Sequence, residues 1–128
     1  MSIDSPVILL VEGDILVRHP LAEYLRECGF TVLEAANGLE ARTALRGDQS
    51  VDVVLADMET EGGGFTLREW IRTETPTVDV VLAGTVEKSV DRAATLCRKG
   101  PALAKPYTHH LVLDRIRQQL AARKRSDS

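Results

Sequence analysis

Three charged side chains come directly after short apolar runs in this sequence. They are Glu12 after residues 7–11, Asp57 after residues 53–56, and Lys105 after residues 102–104. A carboxylate can attack phosphorus and form an acyl phosphate, provided that positive charge neutralises the two approaching anions. A metal ion and a lysine usually supply that charge. We therefore predict Asp57 as a nucleophile, Lys105 as a phosphate contact, and Glu12 as a hard oxygen ligand suited to Mg²⁺.

Apolar runs alternate with segments of helical spacing along the chain. The predicted strands are 7–11, 30–33, 51–56, 78–83 and 101–104, and the predicted helices lie around 17–28, 39–45, 67–71, 86–97 and 113–120. Five strands alternating with five helices indicate an α/β fold, with a five-stranded parallel sheet and helices on both faces. Ligand sites in such sheets lie outside the carboxyl ends of the strands. Glu12, Asp57, Ala83 and Lys105 are all at such ends.

Size and composition favour one soluble domain. The chain has 128 residues, 44% of them hydrophobic and 27% charged, and we expect a single domain over residues 5–125 with disordered termini at 1–4 and 126–128. A formal net charge of -3 supplies no basic field for nucleic acid. Neither a membrane span nor a secretory signal is evident, so we expect a cytoplasmic protein. Cys28 and Cys97 lack CxxC spacing and are interpreted as small core hydrophobes.

These residues resemble, in order and spacing, the receiver domains of bacterial two-component response regulators. The resemblance covers essentially the whole chain, through the segments 7–14, 53–57 and 105–107. It implies a flavodoxin-like (βα)5 fold in which Asp57 takes a phosphoryl group from a histidine kinase or phosphotransfer protein. It also implies Mg²⁺ held by Glu12, Asp57 and the backbone carbonyl of Glu59, with Lys105 contacting the phosphate. No other cofactor is implied.

The chain departs from the receiver pattern at positions that concern function. Gly13 stands where the resemblance places a second metal-binding acid, so we expect weak Mg²⁺ binding, with Asp14 as an alternative ligand. Ala83 replaces the hydroxyl residue that bonds the phosphoryl group, and Ala102 replaces the aromatic residue of the fifth strand. Both parts of the usual conformational switch are therefore missing, while the nucleophile and the lysine remain.

Two interpretations of the function stay open. The first is a phosphoacceptor module that signals by protein–protein interaction to a downstream target, with at most self-phosphorylation and autodephosphorylation chemistry. The second is a pseudo-receiver, a protein-binding module that works without phosphorylation. Neither involves direct contact with nucleic acid or a membrane, and a homodimer through the final helix is a further alternative. We favour the first, because the missing acid weakens metal binding without removing the nucleophile.

Overall fold

Strands and helices alternate throughout the described part of the chain. The computed structural model describes residues 6–57, 64–83 and 86–99. The elements are β1 Val7–Val11, α1 Ile15–Glu27, β2 Thr31–Ala35, α2 Gly38–Leu45, β3 Val53–Asp57, α3 Gly64–Glu74, β4 Asp79–Ala83 and α4 Val86–Lys99. The predicted fifth strand and last helix lie outside these residues. No helix within them is long and apolar enough to cross a bilayer.

The four strands form one parallel sheet in the order β2-β1-β3-β4. From β1 the chain moves to one side to form β2, and it then crosses back to form β3 and β4 on the other side. The carboxyl ends of β1 and β3 therefore flank the point where strand order reverses, which is the usual ligand site of such sheets. The predicted parallel α/β fold with helices on both faces is confirmed for these four strands.

The central strand β1 is buried along its whole length and divides the core in two. Ile8 and Leu10 pack with residues of α1 and α4, while Leu9 and Val11 pack with residues of α2 and α3. Full burial of each such aliphatic side chain contributes about 2 kcal/mol. This two-sided burial is why the sequence shows an unbroken apolar run at 7–11, as expected for a parallel sheet.

Three of the four strands differ in their bounds from the sequence prediction. The smallest difference is that of β4, which was predicted over 78–83 and runs over Asp79–Ala83. The strand predicted at 30–33 runs instead over Thr31–Ala35, because the charge of Glu34 is neutralised by arginines of α1. The strand predicted at 51–56 begins at Val53. Before it, the carboxylate of Asp52 accepts a hydrogen bond of 2.8 Å from the backbone N–H of Val7. Charged residues with a partner on a neighbouring element thus set the end of β2 and the start of β3.

Local capping residues mark the end of α1 and the start of α2. Gly29 follows α1 with a φ of 99°, the left-handed conformation that favours glycine. Asn37 caps α2, since its side-chain oxygen accepts a 2.9 Å hydrogen bond from the N–H of Glu40. These short-range devices fix where each helix begins or ends, and hence which residues reach the sheet edge.

The two cysteines lie in or against the core, as interpreted from the sequence, but they also form a disulfide that the interpretation did not include. Cys28 at the end of α1 is bonded to Cys97 of α4, with 5.4 Å between the Cα atoms. Spacing rules detect cysteines that are close in sequence, whereas these are 69 residues apart. They meet only because α1 and α4 pack on the same face of the sheet.

Candidate functional site

Asp57 is the last residue of β3 and lies at the carboxyl end of the sheet. On one side its register partner is Ala83 of β4. On the other side Val11 of β1 is opposite Ala56, and one further step along this register brings Glu12 alongside Asp57. Neighbouring strands are about 4.8 Å apart. The fold therefore brings together two acids that are far apart in the sequence.

Glu12 is fixed by hydrogen bonds to three different parts of its surroundings. Its N–H donates to the carbonyl of Ala35 at 3.0 Å, and its carbonyl accepts from Nη1 of Arg18 at 2.9 Å. Its carboxylate oxygen Oε2 accepts from the N–H of Asp14 at 2.5 Å. The carboxylate is thus held at the end of β1 instead of extending into solvent.

The two neighbouring carboxylates at this edge of the sheet are both buried. Glu12 is 3% exposed and Asp57 is 5% exposed. A cation bound between two such carboxylates would contact negatively charged oxygens of both. Carboxylate oxygens are hard ligands of the kind that Mg²⁺ prefers. The donors therefore fit Mg²⁺ in type, although no group of three acidic, histidine or cysteine residues is placed for a metal in the described part of the chain.

The position of the missing acid has room for a side chain. A Cβ atom built on Gly13 would lie 3.6 Å from the carbonyl oxygen of Ala36, which is an ordinary van der Waals contact. Asp14, the alternative ligand, uses its Oδ1 atom to accept a 2.9 Å hydrogen bond from the N–H of Leu16. It is the N-cap of α1, and this helix-capping role competes with metal binding.

Three of the predicted functional residues lie outside the described part of the chain. They are Glu59, Ala102 and Lys105. Ala83 is described: it is 1% exposed and lies beside Asp57 in the register of β3 and β4. Its methyl group cannot donate a hydrogen bond to a group carried by Asp57. The missing hydroxyl inferred from the sequence thus lies next to the predicted nucleophile.

Sequence reasoning did not identify two residues that support this edge of the sheet. Arg18 contacts the carbonyl of Glu12 and forms an ion pair of 3.3 Å with Glu34 of β2. Each could have been recognised as a charged residue within an apolar pattern. Arg18 of α1 is next to the buried Val17, and Glu34 of β2 follows Leu33. Such charges usually have a partner when they are shielded from water.

Large apolar side chains are exposed around the same edge. Ile15 and Leu16 begin α1 and are each 60% exposed, and Leu39 in the first turn of α2 is 73% exposed. The carboxyl ends of β1 and β2 lead into these two helices. An exposed apolar group of this kind is a common feature of protein-binding surfaces.

Similarity to known proteins extends over nearly the whole chain. Residues 8–117 match the family model of the response regulator receiver domain. The transcriptional regulatory protein GltR of Pseudomonas aeruginosa is 29% identical over 123 residues, which cover 94% of this chain and 51% of GltR. The transcriptional activator protein PfeR of the same organism is 34% identical over 113 residues, which cover 84% of this chain and 35% of PfeR. The chain thus spans about half the length of these curated relatives, or less.

A solved structure supports the same assignment. The non-phosphorylated HemR receiver domain from Leptospira biflexa matches with a TM-score of 0.56 and 29% identity, covering 88% of this chain and 94% of that one. The family match, the parallel sheet order and the acids at the carboxyl ends of β1 and β3 agree with one another. This chain belongs to the response regulator receiver domain family, the signalling modules of two-component systems.

Proposed function

We propose that Asp57 accepts a phosphoryl group from a phosphohistidine of a histidine kinase or phosphotransfer protein. The observation that supports this most strongly is the burial of Asp57 at the carboxyl end of β3, between Glu12 and Ala83 in the sheet register. A carboxylate fixed on a rigid strand is already oriented for attack on an incoming phosphorus atom. The chain then signals to a downstream protein by protein–protein interaction.

The transfer exchanges one bond to phosphorus for another. A carboxylate oxygen of Asp57 attacks the phosphorus, and a P–O bond forms while the P–N bond to the donor imidazole breaks. The imidazole nitrogen keeps the electron pair of the broken bond and takes up a proton, so the donor leaves as neutral histidine. Lys105 is proposed to contact the phosphoryl oxygens with its ammonium group, in line with the family resemblance.

Glu12, Asp57 and the backbone carbonyl of Glu59 are the proposed Mg²⁺ ligands. When it is bound, Mg²⁺ supplies the positive charge that lets an anionic carboxylate and an anionic phosphoryl group approach each other. Affinity for such hard cations rises with the number of charged oxygens. Since Gly13 offers none, we expect binding to be weak.

The donor protein is proposed to approach over the exposed side chains at the starts of α1 and α2. Ile15, Leu16 and Leu39 lie at the starts of the helices that follow β1 and β2, and the carboxyl ends of these strands share the sheet edge with Asp57. Direct binding of nucleic acid by the receiver itself is not part of the proposal, because a net charge of -3 gives no overall positive field to attract phosphates. The names of GltR and PfeR refer to transcriptional regulation by those proteins.

A phosphorylation-independent pseudo-receiver is the second candidate. It is favoured by one specific observation, the methyl group of Ala83 in place of a hydroxyl beside Asp57. Without that hydroxyl, a phosphoryl group on Asp57 has no side-chain donor from Ala83 to pull the following loop inward. This candidate requires partner binding that is insensitive to Asp57→Ala.

Intact-protein mass spectrometry after treatment with acetyl phosphate tests the proposal. We expect the added mass of one phosphoryl group in the presence of Mg²⁺, little or none with a chelator, and none in Asp57→Ala. Asp79→Ala is the matched control, because Asp79 is an exposed acid at the opposite end of the neighbouring strand β4. An unmodified wild-type protein at saturating Mg²⁺ would support the pseudo-receiver instead.

A further inference from the structure

We propose that Arg18 is a positioning residue for the metal-binding half of the site. Its guanidinium holds the turn at residues 12–14, and thereby keeps the carboxylate of Glu12 in place at the end of β1. This inference rests on the proposed function, since that function requires Mg²⁺ beside Asp57. It adds a residue of α1 to a site otherwise formed at the ends of strands.

The contacts of Arg18 connect both ends of the turn. Its side-chain Nη1 donates to the carbonyl of Glu12 at 2.9 Å. Its backbone N–H donates to the carbonyl of Asp14 at 2.8 Å, the ordinary first hydrogen bond of α1, which holds the position of Arg18 relative to the turn. The side chain is 14% exposed, so these bonds are largely shielded from water. A hydrogen bond from a charged donor is roughly twice as strong as a neutral one. Arg18 therefore anchors the turn from the side of the helix.

The turn needs this anchor because of Gly13. Glycine populates a wider range of backbone conformations than other residues, and here it directly follows the proposed metal ligand Glu12. The N–H of Glu12 is tied to Ala35, but that bond fixes only the strand side of the residue. The bond from Arg18 to the carbonyl fixes the peptide group between Glu12 and Gly13. With both sides held, the Glu12 carboxylate loses little additional freedom when it binds a cation.

The ion pair with Glu34 allows the positively charged Arg18 to lie close to a proposed cation site. Its Oε1 lies 3.3 Å from Nε of Arg18, and its side chain is 21% exposed. A shielded arginine without a counter-ion would repel Mg²⁺ at Glu12, whereas the ion pair cancels most of that field. Glu34 thus neutralises Arg18 while Arg18 positions Glu12. We therefore expect Glu34→Gln to weaken Mg²⁺ binding, as we expect removal of the Arg18 side chain to do.

A matched control exists on the same helix. The guanidinium of Arg26 also bonds the carboxylate of Glu34, at 3.3 Å. The backbone carbonyl that it contacts is that of Val32, whereas Arg18 contacts that of Glu12. Arg26→Met therefore removes a comparable arginine from the same ion-pair network without releasing the turn.

We expect Arg18→Met to weaken Mg²⁺ binding by about tenfold, the effect typical of losing a partner that orients a metal ligand. Arg18→Lys should recover part of this loss, and Arg26→Met should leave the Mg²⁺ affinity unchanged.

The experiment is a Mg²⁺ titration of the wild type and these variants, followed by the amide chemical shifts of Glu12 and Gly13. Urea unfolding without Mg²⁺ measures the stability of each variant separately. Equal Mg²⁺ affinities in the wild type and Arg18→Met would overturn the inference, as would equal weakening in Arg18→Met and Arg26→Met. If Arg18→Met does not fold, Arg18→Lys and Glu34→Gln provide the same comparison with Arg26→Met.

The wild-type protein separates failure of this inference from failure of the proposed function. A wild type that binds no Mg²⁺ and stays unmodified by acetyl phosphate would overturn both. A wild type that binds Mg²⁺ and is modified, together with an Arg18→Met variant of equal affinity, would overturn only the role of Arg18.

Discussion

Gly13 is the residue that most limits the chemistry of the site. It follows Glu12 directly, and the sheet register places the adjacent end of β3, with Asp57, across from that turn. An acid here would add a third carboxylate to the pair formed by Glu12 and Asp57. A Cβ atom placed on Gly13 would lie 3.6 Å from the carbonyl oxygen of Ala36, an ordinary contact, so the described backbone accommodates the first atom of a side chain here. The site therefore lacks one charged ligand because residue 13 is a glycine, and not because the backbone lies in the wrong place.

Restoring the acid by Gly13→Asp is expected to tighten Mg²⁺ binding by about tenfold or more, because affinity for hard cations increases with ligand charge. Without Mg²⁺ the same variant should lose about 1 kcal/mol of stability, since a third anion joins two buried ones. Isothermal titration with Mg²⁺ and urea unfolding with and without the metal measure the two effects. Gly13→Asn is the control of similar size without the charge, and an equal gain in Gly13→Asn would refute the electrostatic explanation.

The sequence allowed Glu12 and Asp57 to be predicted, but not the residues that hold them. A charge that ends an apolar strand is visible in the sequence, because both the strand and its end are local features. Arg18 and Glu34 act through partners on other elements, and these pairings depend on how α1 packs over β1 and β2. No spacing rule encodes that packing. The positions of Glu12 and Asp57 at the sheet edge were therefore predictable from the sequence, whereas their contacts with supporting residues were not. The functional roles of Glu12 and Asp57 stay predictions.

Helix α1 contributes to the site through its first turn. Asp14 caps the helix by accepting the N–H of Leu16, and its own backbone N–H donates to the carboxylate of Glu12. The backbone of Asp14 thus supports the proposed metal ligand while its side chain supports the helix. Because its side chain is engaged in this way, we interpret Asp14 as the cap of α1 and not as a substitute metal ligand.

Two substitutions of Asp14 separate these roles. Asp14→Ser keeps a side-chain oxygen that can cap α1 but removes the carboxylate, so both stability and Mg²⁺ affinity should stay close to those of the wild type. Asp14→Ala removes the cap and should cost about 1 kcal/mol. Urea unfolding and Mg²⁺ titration give the two quantities. A large loss of Mg²⁺ affinity in Asp14→Ser would identify Asp14 as a ligand after all.

The strands show how far local patterns determine an element. The bounds of β1 were predicted residue for residue, because a strand buried on both faces is uniformly apolar. The prediction for β2 stopped at Leu33, since Glu34 interrupts the apolar run. In the structure the strand continues to Ala35, because Arg18 and Arg26 neutralise that glutamate from the neighbouring helix. Strand ends are thus determined partly by long-range charge pairing.

At the scale of the whole molecule, the position of α4 is the least predictable feature. Val90 and Ala93 of this helix pack with Leu21 and Leu25 of α1, whereas α2 and α3 cover the opposite face. Crossovers between parallel strands are right-handed in about 98% of cases. A later strand that paired with the outer edge of β4 through such a crossover would require α4 on the face of α3. With α4 on the face of α1, a right-handed crossover from β4 to a strand at its outer edge cannot run through this helix.

The Cys28–Cys97 disulfide allows the position of α4 to be tested directly. With α4 beside α1, the two thiols are paired, and thiol titration of the denatured protein purified without reductant should detect no free cysteine. Breaking the link in Cys97→Ser should cost roughly 4 kcal/mol of stability for a loop of this length, measured by urea unfolding against Ser89→Ala, a control on the same helix. Ser89 is buried but carries no covalent link to α1. Two free thiols in the wild type, together with equal stability of the reduced and non-reduced protein, would contradict the pairing and favour a position of α4 on the face of α3.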